Sequence, residues 1–194
     1  MLIKSDFEVP QPVDEVWGFF QDIPGVAACL PGAEIDQQVG PDQYSGTVAV
    51  RMGPVKMQFA GQAHVTERDE ANRTIVVDAA GADERGRGQA AMGVTARLVP
   101  TATGTRVEVE QDLQLSGAAA QYGRGMIADV TTVLMRDFSA NMEARLDALG
   151  RGVSADQIEA SKPASGLAIG IQAALMALKR VAARFFLPYQ PNRS

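Results

Sequence analysis

The stretch YSGTVAVRMGPVKMQFAGQAHV, residues 44–65, decides the fold of this chain. Apolar and polar residues alternate along it on both sides of Gly53-Pro54. A period of two that is interrupted by a glycine-proline pair predicts two antiparallel strands joined by a turn, with one apolar and one polar face. The apolar, inward face is predicted to carry Tyr44, Gly46, Val48, Val50, Met52, Val55, Met57, Phe59, Gly61, Ala63 and Val65.

Strands and helices are also predicted on either side of this hairpin. Apolar alternation predicts further strands at 2–9, 73–81, 88–99 and 105–116. Two short helices are predicted between the first strand and the hairpin, and one long helix at about 118–149, where no proline occurs. This order predicts an α+β domain in which a curved sheet and a long helix enclose space, and such space can hold apolar ligands.

The predicted inward face combines flexible side chains with unfilled volume. Flexible thioethers stand beside positions with little or no side chain: Met52, Met57, Met92, Gly46, Gly61 and Ala63. Two interpretations stay open, an apolar pocket with an adaptable wall or a methionine-rich core with glycines where the sheet bends. If it is a pocket, its predicted wall consists of Trp17, Phe20, Val50, Met52, Met57, Phe59, Met92, Tyr122 and Met126.

Polar residues near this face have less specific interpretations. Gln111 is expected to point inward and to bond a ligand carbonyl, although a one-residue bulge would turn it outward. Asp137, Asn141 and Arg145 are spaced four residues apart on the long helix and indicate a polar stripe that faces solvent or another element. Arg51, Arg85 and Arg87 lie near turns that can border a cavity mouth.

Composition argues against several classes of function. The single cysteine, Cys29, excludes an intrachain disulfide, and the single histidine, His64, excludes a multi-histidine metal site. Residues 1–150 carry 12 Lys and Arg against 21 Asp and Glu, so this acidic body is not expected to bind nucleic acid. We expect no catalytic residue, no metal site and no secretory signal, and therefore a cytoplasmic protein.

The last part of the chain differs in charge and pattern. Residues 1–149 are expected to form the domain, 150–166 a flexible linker, 167–187 an amphipathic helix and 188–194 a disordered end. The uncharged run 166–178 has 13 residues, short of the ~20 that span a bilayer. The helix is predicted to lie on a membrane, with docking on its own domain or on a partner as the alternative. Its predicted membrane-binding residues are Leu167, Ile171, Leu175, Leu178, Lys179, Arg180, Arg184, Phe185 and Phe186.

Several motifs together resemble one protein family, the CoxG proteins, which are named as subunits of carbon monoxide dehydrogenase. The motifs are PVDEVW at 12–17 with CLPGA at 29–33, GTVAVRMGPV at 46–55 with FAG at 59–61, and SG at 116–117 with YGRG at 122–125. The resemblance covers about residues 1–150. It implies a START/Bet v1-like helix-grip fold, with a seven-stranded antiparallel sheet around a long C-terminal helix and a hydrophobic cavity.

The resemblance also implies a function. CoxG proteins look like accessory proteins of molybdenum-containing CO dehydrogenase, which they tether to the membrane while passing electrons to menaquinone or ubiquinone. For this chain that implies a CO dehydrogenase or related molybdenum hydroxylase as partner, a quinone as ligand, no covalently bound cofactor, and a place on the cytoplasmic face of the inner membrane. No family motif marks a catalytic residue.

Three hypotheses follow. The first is a non-enzymatic carrier that holds a lipophilic molecule between sheet and helix and reaches an anionic membrane through the tail. The second is a cyclase-like or hydrolase-like enzyme, which needs an acid or base inside the pocket. The third is a membrane tether or assembly factor with a filled core and no ligand.

Overall fold

The computed structural model describes residues 1–153. Its elements in chain order are β1 Leu2–Val9, α1 Val13–Phe20, α2 Ile23–Ala27, β2 Ala33–Gly40, β3 Gln43–Met52, β4 Val55–Asp69, β5 Thr74–Asp83, β6 Gln89–Pro100, β7 Thr105–Leu115, a 3₁₀ helix Gly117–Gln121 and α3 Arg124–Gly150. The strands form one antiparallel sheet in the order β1-β7-β6-β5-β4-β3-β2. The predicted linker, amphipathic helix and end fall almost wholly outside the described residues.

The register of the sheet confirms the predicted inward face. Val48 lies opposite Phe59 and Val50 opposite Met57 across the β3–β4 turn, and Val50 packs against the cluster of the buried Met52 and Val130. Strand β7 pairs with β6 without a bulge, and Gln111 lies opposite Val94. Its side chain is 8% exposed, so the prediction that Gln111 points inward is also confirmed.

The long helix starts later than the sequence predicts. Residues 117–121 form a 3₁₀ helix, Tyr122 is extended, and α3 begins only at Arg124. The amide of Ala118 donates to the carbonyl of Arg87 at 2.6 Å, which draws this segment onto the β5–β6 turn. Gly117 has φ +67°, a conformation that favours glycine, and a Cβ there would crowd the Arg87 carbonyl. A tertiary contact therefore overrides the local helix propensity.

The buried apolar side chains form two clusters of unequal size. The larger cluster joins α1 and α2 to the sheet and to the second half of α3, through Phe138, Met142 and Leu146. The smaller cluster consists of the buried Met52 and Val130, with Val50, Tyr122 and Leu134 packed against them. We call the end of the molecule near the smaller cluster the turn end and the end near α1 the far end.

Hydrogen bonds hold the turn end together. It comprises the β3–β4 turn, the β5–β6 turn and the segment between β7 and α3. The Arg87 Nη2 donates to the carbonyl of Lys56 at 2.9 Å, and the amide of Glu84 donates to the carbonyl of Gln58 at 2.9 Å. These bonds fasten the β5–β6 turn to the start of β4.

Three glycines lie side by side on the inner face of the sheet. Gly46, Gly61 and Gly81 are direct partners across β3, β4 and β5, and Ala90 of β6 continues this glycine row. A Cβ at Gly61 would overlap the carbonyl oxygen of Ala80, because the strands approach closely there. The row thus serves close strand approach and at the same time leaves the inner face without side chains.

Candidate functional site

From the burial pattern, we assign the candidate site to the space between the sheet and α3, on either side of the glycine row, and call this space the gap. Its inner-face residues point toward α3, yet they remain half-buried and belong to neither apolar cluster. In a filled core such side chains would be enclosed by neighbours. The residues that line this gap are Val48, Phe59, Ala63, Ala79, Met92, Leu113 and Leu115.

A cleft adjoins the gap at the turn end. It has a volume of about 350 Å³ and lies between the end of β7, the 3₁₀ helix and the first turn of α3. Leu113 and Leu115 border both the cleft and the gap, while Tyr122, Arg124 and Ile127 form its other wall. The cleft therefore opens beside Leu113 and Leu115, at the edge of the assigned gap.

The structure brings together six of the residues predicted for the wall. Val50, Met52 and Tyr122 meet in the smaller cluster, and Met57 lies opposite Val50. Phe59 and Met92 lie on the inner face beside the glycine row. Met52 and Met57 are 6% and 1% exposed, so they form the buried part of the predicted wall.

Trp17 and Phe20, also predicted for the wall, lie in the larger cluster, which includes none of the residues named above for the gap. The Trp17 ring lies 5.6 Å from the guanidinium carbon of Arg73, just before β5. Helical spacing selects the buried side of α1 but does not say which part of the interior that side contacts.

Met126, also predicted for the wall, lies in the first turn of α3, where it is 40% exposed and belongs to neither cluster. Five other residues were not singled out for the wall: Val48, Ala79, Leu113, Leu115 and Ile127. Alternation in phase with Ile75 and Val77 would have identified Ala79 from the sequence.

Gln111 is the polar group at the inner end of the gap. It lies on β7 between the fully packed Val109 and the half-buried Leu113. Its Nε2 donates to the Sδ of Met135 at 3.2 Å, and a thioether is a weak acceptor. A buried amide with such a partner retains capacity to bond a carbonyl.

A buried ion pair fixes the β5–β6 turn. The Asp83 carboxylate accepts from Nε and Nη2 of Arg87 at 2.8 and 2.7 Å, and from three backbone amides, those of Gln58, Arg85 and Arg87. The Arg87 guanidinium holds the pKa of this carboxyl well below its usual range. The sequence pattern does not identify Asp83, whose hydrogen bonds hold the turn that borders the gap. Arg87 takes part in the same set of hydrogen bonds.

Within the polar stripe on α3, Asn141 connects the helix to another element. Asn141 Nδ2 donates to the carbonyl of Cys29 at 2.9 Å, and Asp137 accepts from Arg136. Cys29 is 1% exposed, and burial raises the pKa of its thiol to about 11. The thiol therefore stays protonated near neutral pH and behaves as a small apolar residue.

Within residues 1–153, no group of three or more His, Cys, Asp and Glu side chains is arranged to hold a metal ion. None of the helices in the same range is both long and apolar enough to cross a bilayer.

The fold is shared with solved structures of low sequence identity. A conserved protein from Geobacillus kaustophilus is 20% identical with a TM-score of 0.67, over 76% of this chain and 95% of that chain. The ZhuI aromatase/cyclase from Streptomyces sp. R1128 is 15% identical with a TM-score of 0.58, over 79% and 98%. A START superfamily protein from Mycobacterium smegmatis is 14% identical with a TM-score of 0.54, over 76% and 98%. These likenesses show the START/Bet v1-like fold.

The family is shown by sequence. None of the curated proteins compared with the chain matches it, but the profile of one family matches residues 6–147, well over half of its length. That range contains the whole sheet from Asp6 onward, the glycine row and nearly all of α3. The chain belongs to the carbon monoxide dehydrogenase subunit family CoxG.

Proposed function

We propose that this protein is a non-enzymatic carrier of a lipophilic molecule in a molybdenum CO dehydrogenase system. The observation that carries the proposal is the gap, where inner-face residues remain half-buried beneath α3. Family membership supports the enzyme system, and the START/Bet v1-like fold supports a hydrophobic ligand. The protein would play the same carrier role if its partner is a related molybdenum hydroxylase.

A respiratory quinone, menaquinone or ubiquinone, suits the gap chemically. A quinone head is a flat apolar ring with two carbonyl acceptors, and its tail is a hydrocarbon chain. Phe59 and Met92 offer an aromatic face and a polarizable thioether to the ring. Gln111 offers an amide donor at the inner end of the gap, while the cleft at the turn end leaves room for the tail.

The predicted amphipathic helix at 167–187 would bring the carrier to the cytoplasmic face of the inner membrane, where quinones dissolve. This segment lies outside the described residues, so the proposal rests on its sequence. Its apolar face and its cations Lys179, Arg180 and Arg184 suit an anionic bilayer surface. The carrier would exchange its ligand there and pass it to or from the molybdenum enzyme.

An enzymatic role is less well supported by the gap. Asp83 is the buried carboxylate at the border of the gap. Its ion pair with Arg87 keeps it ionised, and its oxygens accept from five donors. A general acid or base needs a pKa near the working pH and a free position beside the substrate, and Asp83 has neither. The aromatase/cyclase with the same fold is 15% identical, a likeness that extends to the fold alone.

A variant that fills the gap tests the proposal. Ala79 is half-buried on the inner face, opposite Ala63 and Met92. Ala79→Phe is expected to occupy empty space, so full-length protein should lose saturable binding of a soluble menaquinone analogue and keep its stability within about 1 kcal/mol. Binding is measured by equilibrium dialysis.

The matched control places the same side chain in the packed core. Ala96 is 5% exposed on β6 in the larger cluster, so Ala96→Phe should cost about 1–3 kcal/mol through overpacking. Absence of saturable binding in the wild type, together with equal destabilisation by both variants, would leave the tether as the better account. Mass spectrometry of organic extracts from protein purified out of its native host identifies the ligand.

A further inference from the structure

The charges of the described body are unevenly placed. Residues 1–150 carry 12 Lys and Arg against 21 Asp and Glu. The turn-end segments 51–58, 83–88 and 116–126 hold five of these cations but only two of the acids. The turn end therefore has a net charge of +3, and the remainder of residues 1–150 has a net charge of −12.

Four of the five turn-end cations are without an acidic partner. Arg87 pairs with Asp83, whereas the other four form no ion pair with any residue of the range 1–153. Six of the remaining cations, among them Lys4 and Arg97, do pair with acids. We call the four unpaired cations the rim; they are Arg51, Lys56, Arg85 and Arg124.

The positions of the rim cations lower the local stability of the fold. Arg51 and Lys56 lie directly opposite each other on neighbouring strands, and like charges in that position repel. Arg124 occupies the first turn of α3, where no acidic residue is present and the helix dipole disfavours a cation. Positions that break local rules in this way are expected where function requires them.

Apolar surface accompanies the rim. Met126, two residues after Arg124, is 40% exposed, and Pro54 is exposed in the turn between Arg51 and Lys56. The cleft at the edge of the gap opens beside Arg124 and Tyr122. Cations and exposed apolar side chains thus surround the opening through which a lipophilic ligand would pass.

We infer that the turn end is a docking surface for an anionic phospholipid bilayer, with the rim on the headgroups and the opening of the gap toward the membrane. Headgroup phosphates attract the rim, and the interfacial region accepts Met126 and Pro54. The rest of the body, with its net charge of −12, is repelled by the same surface. Attraction at one end and repulsion elsewhere orient the molecule.

This contact goes beyond the proposed function, which attaches the protein through residues 167–187. The predicted helix and its predicted linker would hold the body near the membrane without orienting it. An acidic protein partner would also attract the rim. The bilayer is the better match because the cations border the opening of an apolar gap and stand beside exposed apolar side chains.

The test uses the full-length chain with one fluorescent label that responds to polarity. Pro54→Cys places the label at the turn end, and Ala71→Cys places it in the β4–β5 turn at the far end. Cys29 is 1% exposed, so it does not compete for the label. With vesicles of phosphatidylcholine and phosphatidylglycerol, label emission should shift to the blue at position 54 and stay unchanged at position 71.

Matched charge reversals separate the rim from general electrostatics. Lys56→Glu with Arg85→Glu should abolish the shift at position 54, and Lys4→Glu with Arg97→Glu, an equal change in net charge elsewhere, should leave it in place. Folding of each variant is checked by thermal melting. Equal shifts at both labels, or none at position 54 when the protein sediments with vesicles, would overturn the inference.

One further outcome assigns the surface to a protein instead. A shift at position 54 on adding purified molybdenum CO dehydrogenase without vesicles, and none with vesicles alone, would also overturn the bilayer assignment. Equilibrium dialysis of the quinone analogue needs no membrane. Failure of the docking surface is therefore distinguishable from failure of the carrier function.

Discussion

Phe59 and Phe138 are the same residue type in two environments, one beside the gap and one in the larger cluster. Phe138 is 8% exposed and packs edge-on against Phe7, with the two ring centroids 5.9 Å apart. Phe138→Ala should therefore cost about 3–5 kcal/mol of unfolding free energy. Phe59 is half-buried and lies in neither cluster, so Phe59→Ala should cost less than about half as much. Urea unfolding of both ligand-free variants measures the difference. Equal losses would indicate a filled interior.

Asp83 is the residue whose ionisation stabilises the turn end. Its pKa is held below the usual range by Arg87, whereas in the unfolded chain it returns to about 3.9. Because the folded-state value is the lower one, the stabilisation is complete above the unfolded-state pKa and is lost as the pH falls below it. The difference in unfolding free energy between wild type and Asp83→Asn should therefore shrink between about pH 5 and about pH 2.

The control for this pH dependence is Asp78→Asn. Asp78 is exposed on the outer face of β5 and forms no ion pair with the residues that the structure describes. The difference between wild type and this variant, measured over the same pH range, is the reference for Asp83→Asn. A pH-independent difference for Asp83→Asn would show that Asp83 does not act through its charge.

At the scale of elements, the close approach of β4 and β5 depends on Gly61. A Cβ at this position would overlap the backbone of β5, so Gly61→Ala should destabilise the protein although alanine is the smallest change possible. Gly18 in α1 has no atom within 4 Å of the corresponding position, so Gly18→Ala should stabilise by about 0.4–1 kcal/mol. Opposite signs in chemical denaturation are expected, and the same sign would contradict this role of the glycine row.

Strands were more predictable from this sequence than helix boundaries or the wall of the gap. The alternation around Gly53-Pro54 specifies strand, turn and face at once, because a shift of one residue would expose every apolar side chain. The start of α3 depends on the bond from Ala118 to Arg87, which no local pattern contains. The spacing of Trp17 predicts burial correctly but not the neighbours, which are set by the docking of α1.

At the scale of the whole molecule, the charge of the tail opposes that of the body. Residues 151–194 carry six Lys and Arg against two Asp and Glu. Each cation near an anionic bilayer contributes about 1 kcal/mol, so replacing Lys179, Arg180 and Arg184 by Gln in the full-length chain should weaken partition into anionic vesicles by roughly 100-fold. Vesicle sedimentation measures this change.

Neutral vesicles provide the control for the tail. On phosphatidylcholine alone, wild type and the triple variant should partition alike, since only apolar burial remains. Unchanged partition of the variant on anionic vesicles would instead favour a tail that docks on its own domain or on a partner.

The two apolar clusters differ in size, and this difference implies a gradient of local opening along the sheet. Backbone amides protected by the larger cluster, such as those of Val107 and Val109, should exchange their hydrogens only when the whole domain unfolds. Amides near Val50 and Met57 should exchange through smaller, more frequent fluctuations, because only a few buried side chains must separate there. Native-state hydrogen exchange with mass spectrometry resolves the two regimes. A protein with this gradient opens locally at the turn end while its far end stays folded.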